Sequence, residues 1–184
     1  MIKEIENRIY FRAFEYSDLS LINKIRNDNY AYEHTGGNKY YISSEYDKKW
    51  IEDKIFKNQN QIYLAICLIE TDELIGYFGI NKIDYRNRKA QWAGINVDKK
   101  FSNKGYATQA GKLMLKYVFE EIGLYRFYGY WLESNSPSVR MAEKLGFISE
   151  GVIRGFVFKG NKFRNAILMS ILKEEFDLKH NRKQ

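Results

Sequence analysis

The chain has 184 residues and a mass of 21.9 kDa, with 45% hydrophobic and 29% charged residues. This length suits one domain of about 100–200 residues, and the composition excludes a disordered or fibrous chain. We expect a single domain over residues 1–176 and a basic tail over residues 177–184. No apolar run approaches the roughly 20 residues that span a bilayer, and the first residues lack a signal-peptide core, so the expected compartment is the cytoplasm.

The net charge is +7, from 30 basic and 23 acidic residues. This excess favours an anionic partner, such as nucleic acid, a membrane surface or a phosphorylated cofactor. The basic residues are scattered and match no common nucleic-acid-binding pattern, so we expect neither a nucleic acid nor a membrane partner. The single cysteine, Cys67, cannot form an internal disulfide or a CxxC site, and we expect no metal.

The first part of the chain predicts one strand and two helices. Residues 7–14 alternate as in a strand, and a helix is expected after Ser17-Asp18, where a short polar side chain can cap it. Residues 28–42 are predicted as a polar loop, and a capping box that begins at Ser44 predicts a helix to Phe56.

In the rest of the chain, segments with the hydrophobic periodicity of strands alternate with segments that have the periodicity of helices. In chain order they are strands 61–69, 74–83 and 89–97, a helix that carries Ala107 to Val118 and ends near Gly123, a strand at 125–132, a short helix at 136–145, an extended segment at 147–151, and two final strands at roughly 152–159 and 163–172. This order includes a strand–helix–strand unit, which predicts an α/β (α+β) fold with helices on both faces of a sheet.

The stretch 97–110 runs from an apolar strand through a loop of small and basic residues directly into a helix. The first turn of a helix suits a phosphate, because it presents N–H groups without partners and the positive end of the macrodipole. Gly105 permits close approach of a ligand to the backbone, and Ser102, Asn103 and Thr108 can add donors. GxxxxGK[ST] and GxGxxG are both missing, which disfavours kinase and dinucleotide sites, while a loop that binds nothing remains an alternative.

A second motif, residues 135–147, follows a strand and opens a short helix. On its own it is explained by helix capping through Asn135 and Ser136. Together, however, the two stretches resemble the GNAT N-acetyltransferase superfamily, whose acetyl-CoA loop reads Q/R-x-x-G-x-G/A and whose later helix reads N-x-x-S/A followed by E-K-L-G-F. The order of elements agrees over nearly the whole chain, and segments such as 105–108 and 150–154 are most similar to the RimJ/RimL-like branch.

The resemblance implies a GNAT fold, with a mixed sheet of about seven strands that is antiparallel at first and then splays at a parallel pair. It implies an N-acetyltransferase in which acetyl-CoA, the cosubstrate, is attacked directly by an amine in a ternary complex. The cofactor-binding residues that it implies are Ile95, Val97, Ser102, Asn103, Lys104, Gly105, Tyr106, Ala107, Thr108, Asn135 and Ser138.

Three positions depart from the family pattern. Ser102 stands where the loop usually begins with Gln or Arg, Ala142 where many relatives carry a Tyr general acid, and Trp92 where relatives often carry a Glu base. The usual acid and base are therefore both missing, because neither Ala nor Trp takes part in this proton transfer.

Substitutes for these groups must come from elsewhere in the chain. We expect Ser138 or a bound water to protonate the leaving thiolate, and Glu33 or His34 to accept the amine proton. Asp28 and Glu150 are further candidates for the base.

The acceptor is the least determined part of this hypothesis. We favour a small-molecule amine such as an amino sugar or a polyamine. Protein N-termini, a regulatory domain that binds acetyl-CoA without catalysis, and a basic nucleic-acid-binding module remain alternatives. The final strands (152–172) can pair across a two-fold axis in a homodimer or be buried within one chain, and both options stay open.

Overall fold

A computed structural model describes residues 8–37, 41–57 and 59–181. In chain order the elements are β1 (Ile9–Arg12), α1 (Leu19–Arg26), α2 (Asn29–His34), α3 (Ser44–Phe56), β2 (Ile62–Leu68), β3 (Leu74–Asp84), β4 (Lys89–Val97), α4 (Tyr106–Lys116), β5 (Arg126–Leu132), α5 (Ser136–Leu145), β6 (Ile148–Lys159), β7 (Lys162–Leu172) and α6 (Lys173–Asn181). The predicted mixed α/β fold is confirmed. Within the described ranges, no helix has the length and apolar character needed to cross a membrane.

The seven strands form one sheet in the order β1-β2-β3-β4-β5-β7-β6. All neighbouring strands are antiparallel except β4 and β5, which are parallel. The β4–β5 pairing covers only residues 89–91 and 126–128, and beyond it the two strands diverge. The sheet therefore opens at the carboxyl ends of a parallel pair, which is where α/β sheets usually hold ligands.

Helices cover both faces of the sheet, as predicted. Because successive side chains of a strand point to opposite faces, Ile66 of β2 joins one hydrophobic cluster and its neighbour Cys67 joins the other. The first cluster includes Met114 of α4 and Leu145 of α5, and the second includes residues of α1 and α3. Trp92 of β4 and Phe127 of β5 belong to the first cluster, so the seam between these two strands packs against the layer of α4 and α5.

Residues 28–42 contain a helix where a loop was predicted. The carboxylate of Asp28 accepts a hydrogen bond from the backbone N–H of Ala31 at 3.1 Å and so caps α2. None of the six residues of α2 is buried, so the helix has no apolar stripe that periodicity could detect.

The predicted start of α3 was one residue late. Ser43 caps this helix by accepting from the N–H of Tyr46 at 3.1 Å, so the capping box at Ser44 is wrong. Asp47, its expected partner, is fully buried and instead accepts from Arg26 at 2.8 Å. A buried carboxylate needs a charged partner, and this requirement outweighs a local cap.

The basic tail predicted for 177–184 begins inside a helix, since α6 continues to Asn181. Phe176 is buried against Phe119, with their ring centroids 5.0 Å apart. The Glu175 carboxylate accepts from the Leu172 N–H at 2.8 Å. These contacts anchor the start of α6 on the sheet, whereas residues 182–184 lie outside the described residues.

Candidate active site

A cavity of about 960 Å³ lies at the opening between β4 and β5. Its walls come from β4 (91–96), β5 (130–132), the first residues of α5, and the segments 31–37 and 41–43. The cavity therefore brings together the divergent strands, the 135–147 motif and the 28–42 segment, which are far apart in the sequence.

A loop at one end of this opening leads into α4 through two residues with positive φ. Asn103 has φ +60° and Gly105 has φ +84°, and Gly105 occupies the N-cap of the helix. Successive N–H groups in such a turn form a concave anion site that adds to the helix N-terminus. Tyr106, Ala107 and Thr108 supply the first turn, so the loop has the geometry that a phosphate requires.

Arg8 is a basic residue at this loop that the sequence analysis missed. Its guanidinium donates to the carbonyl of Lys104 at 2.6 Å and lies 4.6 Å from the ring centroid of Tyr106. Its backbone N–H also reaches the side chain of Gln109 at 3.3 Å. Arg8 lies 96 residues before Lys104, and no pattern in the sequence links the two.

The strand edge predicted to bind the cofactor borders the seam. Ile95 and Val97 pair with Phe78 and Gly76 of β3 on one side, whereas the pairing of β4 with β5 ends at Gln91, before both of them. Gly94, with φ +125°, lies where the register of β4 against β3 shifts. Such a bulge bends the strand and re-aims its edge, and sequence reasoning did not predict it.

The start of α5 presents Asn135 and Ser138 to the cavity. The side-chain oxygen of Asn135 accepts from the Ser138 N–H at 3.3 Å, and its amide donates to the carbonyl of His34 at 2.7 Å. Ala142 is fully buried one turn further along α5. The structure thus brings Asn135, Ser138 and His34 together.

The two neighbouring candidates for the base have different surroundings. His34 lines the cavity, its Nδ1 lies 2.9 Å from the carbonyl of Tyr30, and its ring stacks on that of Tyr30 at 4.0 Å. Glu33 is exposed and does not line the cavity. Asp28 is occupied in capping α2.

Glu150, the last candidate for the base, is held in an ion pair. Both its oxygens accept from Arg126 at 2.6 Å, and Oε1 also accepts from Ser170 at 2.5 Å. The Arg126 guanidinium, followed by the Ser170 hydroxyl, lowers the pKa of Glu150 to about 2. A carboxylate with this pKa is a weak base near neutral pH, and Glu150 is not among the described residues that line the cavity.

Trp92 and Tyr77 are two buried aromatic residues of the cavity wall. Trp92 is buried among Phe127, Trp131 and Phe147, with ring centroids 5.6–5.9 Å away, and so belongs to the core as well as to the wall. Burial raises the pKa of Tyr77 to about 12, which keeps its hydroxyl protonated.

In the described part of the chain, no group of three or more His, Cys, Asp or Glu side chains is arranged to hold a metal ion.

Comparison with known proteins agrees with this geometry. The family model for the acetyltransferase (GNAT) domain matches residues 8–148. An uncharacterized N-acetyltransferase of Bacillus subtilis, YnaD, is 28% identical over 170 residues, which cover 92% of this chain and 96% of that protein. The spermidine N(1)-acetyltransferase of Escherichia coli is 26% identical over 176 residues, covering 94% and 90%.

Among solved structures, the spermidine N-acetyltransferase from Vibrio cholerae in complex with CoA and spermine shares the fold with a TM-score of 0.85. Its sequence identity is 22%, over 92% of this chain and 98% of that one. With the family model matching most of the chain, the open parallel pair and the glycine loop at α4 identify this protein as a member of the GNAT acetyltransferase family.

Proposed function

We propose that this protein transfers the acetyl group of acetyl-CoA to a primary amine of a small molecule, through a single catalytic domain over residues 1–176. The observation that carries the proposal is the opening between β4 and β5, together with the loop before α4, in which Gly105 has a left-handed backbone conformation. The E. coli relative, a spermidine acetyltransferase, and the V. cholerae structure with CoA and spermine support a small amine as acceptor.

The residues at this opening fit acetyl-CoA. The N–H groups of Asn103, Gly105 and the first turn of α4 suit the pyrophosphate, with Arg8 and Lys104 adding positive charge. The free edge of β4 at 95–97 suits the pantetheine arm, which can pair with it as an added strand. Asn135 would bind the arm from the other side.

Ser102 is assigned a smaller part at this site. Its backbone N–H bonds the Lys99 carbonyl at 3.1 Å, which leaves only a short hydroxyl on an exposed residue. Relatives with Gln or Arg here have a longer donor, so we assign Ser102 a phosphate contact through its hydroxyl alone.

The thioester supplies an activated acetyl group, and the side chains of the cavity supply proton transfer. Of the two predicted bases, we assign the role to His34 because it lines the cavity. The Tyr30 carbonyl accepts from Nδ1–H, which leaves the lone pair on Nε2 for the amine proton. Ser138 would donate to the leaving thiolate, and a backbone N–H of 95–97 would stabilise the oxyanion.

We further propose a RimJ/RimL-like placement within the family, a cytoplasmic location, and no nucleic acid or membrane partner.

A homodimer through the final strands also stays a prediction. It is supported by β6, an edge strand on which Ile148, Val152 and Phe158 are exposed. Pairing across a two-fold axis would cover such an edge.

The test is thiol release from acetyl-CoA with a panel of small amines, for wild type and for Ser138→Ala. We expect turnover by wild type and a kcat lower by about tenfold or more in the variant, since general acid catalysis contributes at least this much. Ser136→Ala, an exposed position on the same helix turn, is the matched control and should leave kcat unchanged. Tight acetyl-CoA binding without turnover would favour a regulatory domain, and no binding would refute the proposal.

A further inference from the structure

Two buried side-chain oxygens in the cavity wall have no hydrogen-bond partner in the described part of the chain. They are Asn81 Oδ1 and Gln91 Oε1. The two residues are direct neighbours in the β3–β4 register, and both line the cavity. Because an unpaired buried carbonyl costs free energy, a ligand that donates N–H or O–H groups here gains more than it would in water.

The side chain of Asn81 also interacts with Tyr63. Burial raises the pKa of Tyr63, and a hydrogen bond with the Asn81 side chain lowers it. The Asn81 oxygen has no partner in the described part of the chain, so it is the end of the amide that remains for a ligand.

No Asp or Glu is found among the described residues that line the cavity. Arg26 lines it, but its guanidinium already donates to the buried Asp47 at 2.8 Å. Lys159 also lies nearby, donating to the carbonyls of Tyr32 and Gly37, and it interacts with the opposite charge of Glu33, which does not line the cavity.

Aromatic side chains form much of the remaining wall. Tyr77 and Tyr130 extend from the sheet, and Phe156 of β6 stacks on Tyr130 with ring centroids 5.1 Å apart. Tyr46 of α3 also lines the cavity. Such walls accommodate flat rings, and their hydroxyls add hydrogen bonds without net charge.

From these observations we infer that the acceptor is a monoamine with an uncharged aromatic or hydroxyl-bearing body, rather than a polyamine. The inference rests on the proposed function and narrows its substrate class. A single amine loses its proton before it attacks, so it needs no permanent counter-ion. Each further ammonium group of a polyamine would be buried without a carboxylate, which is strongly unfavourable.

The first experiment compares kcat/KM for tyramine, glucosamine, putrescine and spermidine. We expect the two monoamines to exceed spermidine by about tenfold or more, the effect of a charge left without a partner. A wild-type preference for spermidine or putrescine would overturn the inference.

A charge introduced at Gln91 tests the same cavity. Gln91→Glu places a carboxylate beside Asn81 and should shift the spermidine-to-tyramine ratio about tenfold towards spermidine. Gln59→Glu, an exposed position with the same change of charge, should leave the ratio as in wild type. An unchanged ratio in Gln91→Glu, or an equal shift in both variants, would contradict the inference.

Calorimetry with CoA-loaded protein separates the inference from the proposed function. If no amine is turned over but tyramine still binds more tightly than spermidine, the proposed function fails and the cavity preference stands. If turnover is observed and spermidine binds more tightly, the enzyme is confirmed and the preference is wrong.

Discussion

The amide of Asn135 donates to the backbone carbonyl of His34 at 2.7 Å, joining the start of α5 to the end of α2. The oxygen of the same amide caps α5 through the N–H of Ser138. One side chain thus connects the proposed thiolate donor to the segment that carries the proposed base. Its two ends can be separated by substitution, because an aspartate keeps the accepting oxygen and loses the donor.

We expect Asn135→Asp to raise KM for the amine several-fold and to lower the stability of the protein, since the cap remains but the bond to His34 is lost and a buried carboxylate oxygen faces that carbonyl. Asn135→Ala should lose both the cap and the bond to His34, and the missing cap should lower the free energy of unfolding by about 1 kcal/mol. Urea denaturation and steady-state kinetics measure the two effects. Equal kinetics for wild type and Asn135→Asp would show that the bond to His34 does not position the segment.

Lys159 forms a second connection to the same segment. It is buried, which lowers the pKa of its ammonium, and it donates to the carbonyls of Tyr32 and of Gly37, the latter at 2.5 Å. We expect Lys159→Met to raise KM for the amine about threefold or more, as expected for the loss of a charged hydrogen bond, with KM for acetyl-CoA unchanged. Lys162→Met, an exposed residue of the same hairpin, should leave both constants unchanged. A rise in KM for acetyl-CoA would indicate a wider structural role.

The backbone conformation of Gly105 offers a test of the loop before α4 as the proposed phosphate site. A Cβ at this position would meet only Arg8, at an ordinary 3.5 Å, so the cost of Gly105→Ala comes from its φ of +84°. We expect a loss of roughly 1 kcal/mol of stability and weaker acetyl-CoA binding by calorimetry.

The matched control is Gly123→Ala, where φ is +73° and no heavy atom lies within 4 Å of the added Cβ. Its stability should fall by a similar amount while acetyl-CoA binding stays as in wild type. If both variants bound acetyl-CoA equally, the loop before α4 would not be the phosphate site.

The Glu150–Arg126 pair predicts a stability change in acid. Since the folded-state pKa of Glu150 falls from 4.5 to about 2, the pair contributes stability above pH 4.5 that is lost as the pH falls through 2. With the Glu150 side chain 34% exposed, this contribution is at most about 1 kcal/mol. The stability difference between wild type and Glu150→Gln should therefore shrink in urea denaturation over that range. Glu143→Gln, on the exposed surface of α5, should show no comparable trend.

Most strands and helices could be predicted because they depend on local patterns. The strand predicted at 89–97 and the helix predicted at 136–145 have the bounds of β4 and α5. The helix α2 could not be predicted in this way, because none of its residues is buried. The helix α6 was missed because its anchor, Phe176, depends on contact with the distant Phe119.

The sequence by itself determined the order of the seven strands and of the helices α1, α3, α4 and α5, the glycine loop before α4 and the motif at the start of α5, and with them the family. Only the tertiary structure decided that His34 rather than Glu33 lines the cavity, that Arg8 reaches the loop at Lys104, and that the Gln91 oxygen has no partner among the residues that the structure describes. Hydrophobic periodicity and helix capping involve residues only a few positions apart, so both can be recognised in the sequence. Cavity lining, ion pairing and missing hydrogen bonds depend on residues that only folding brings together.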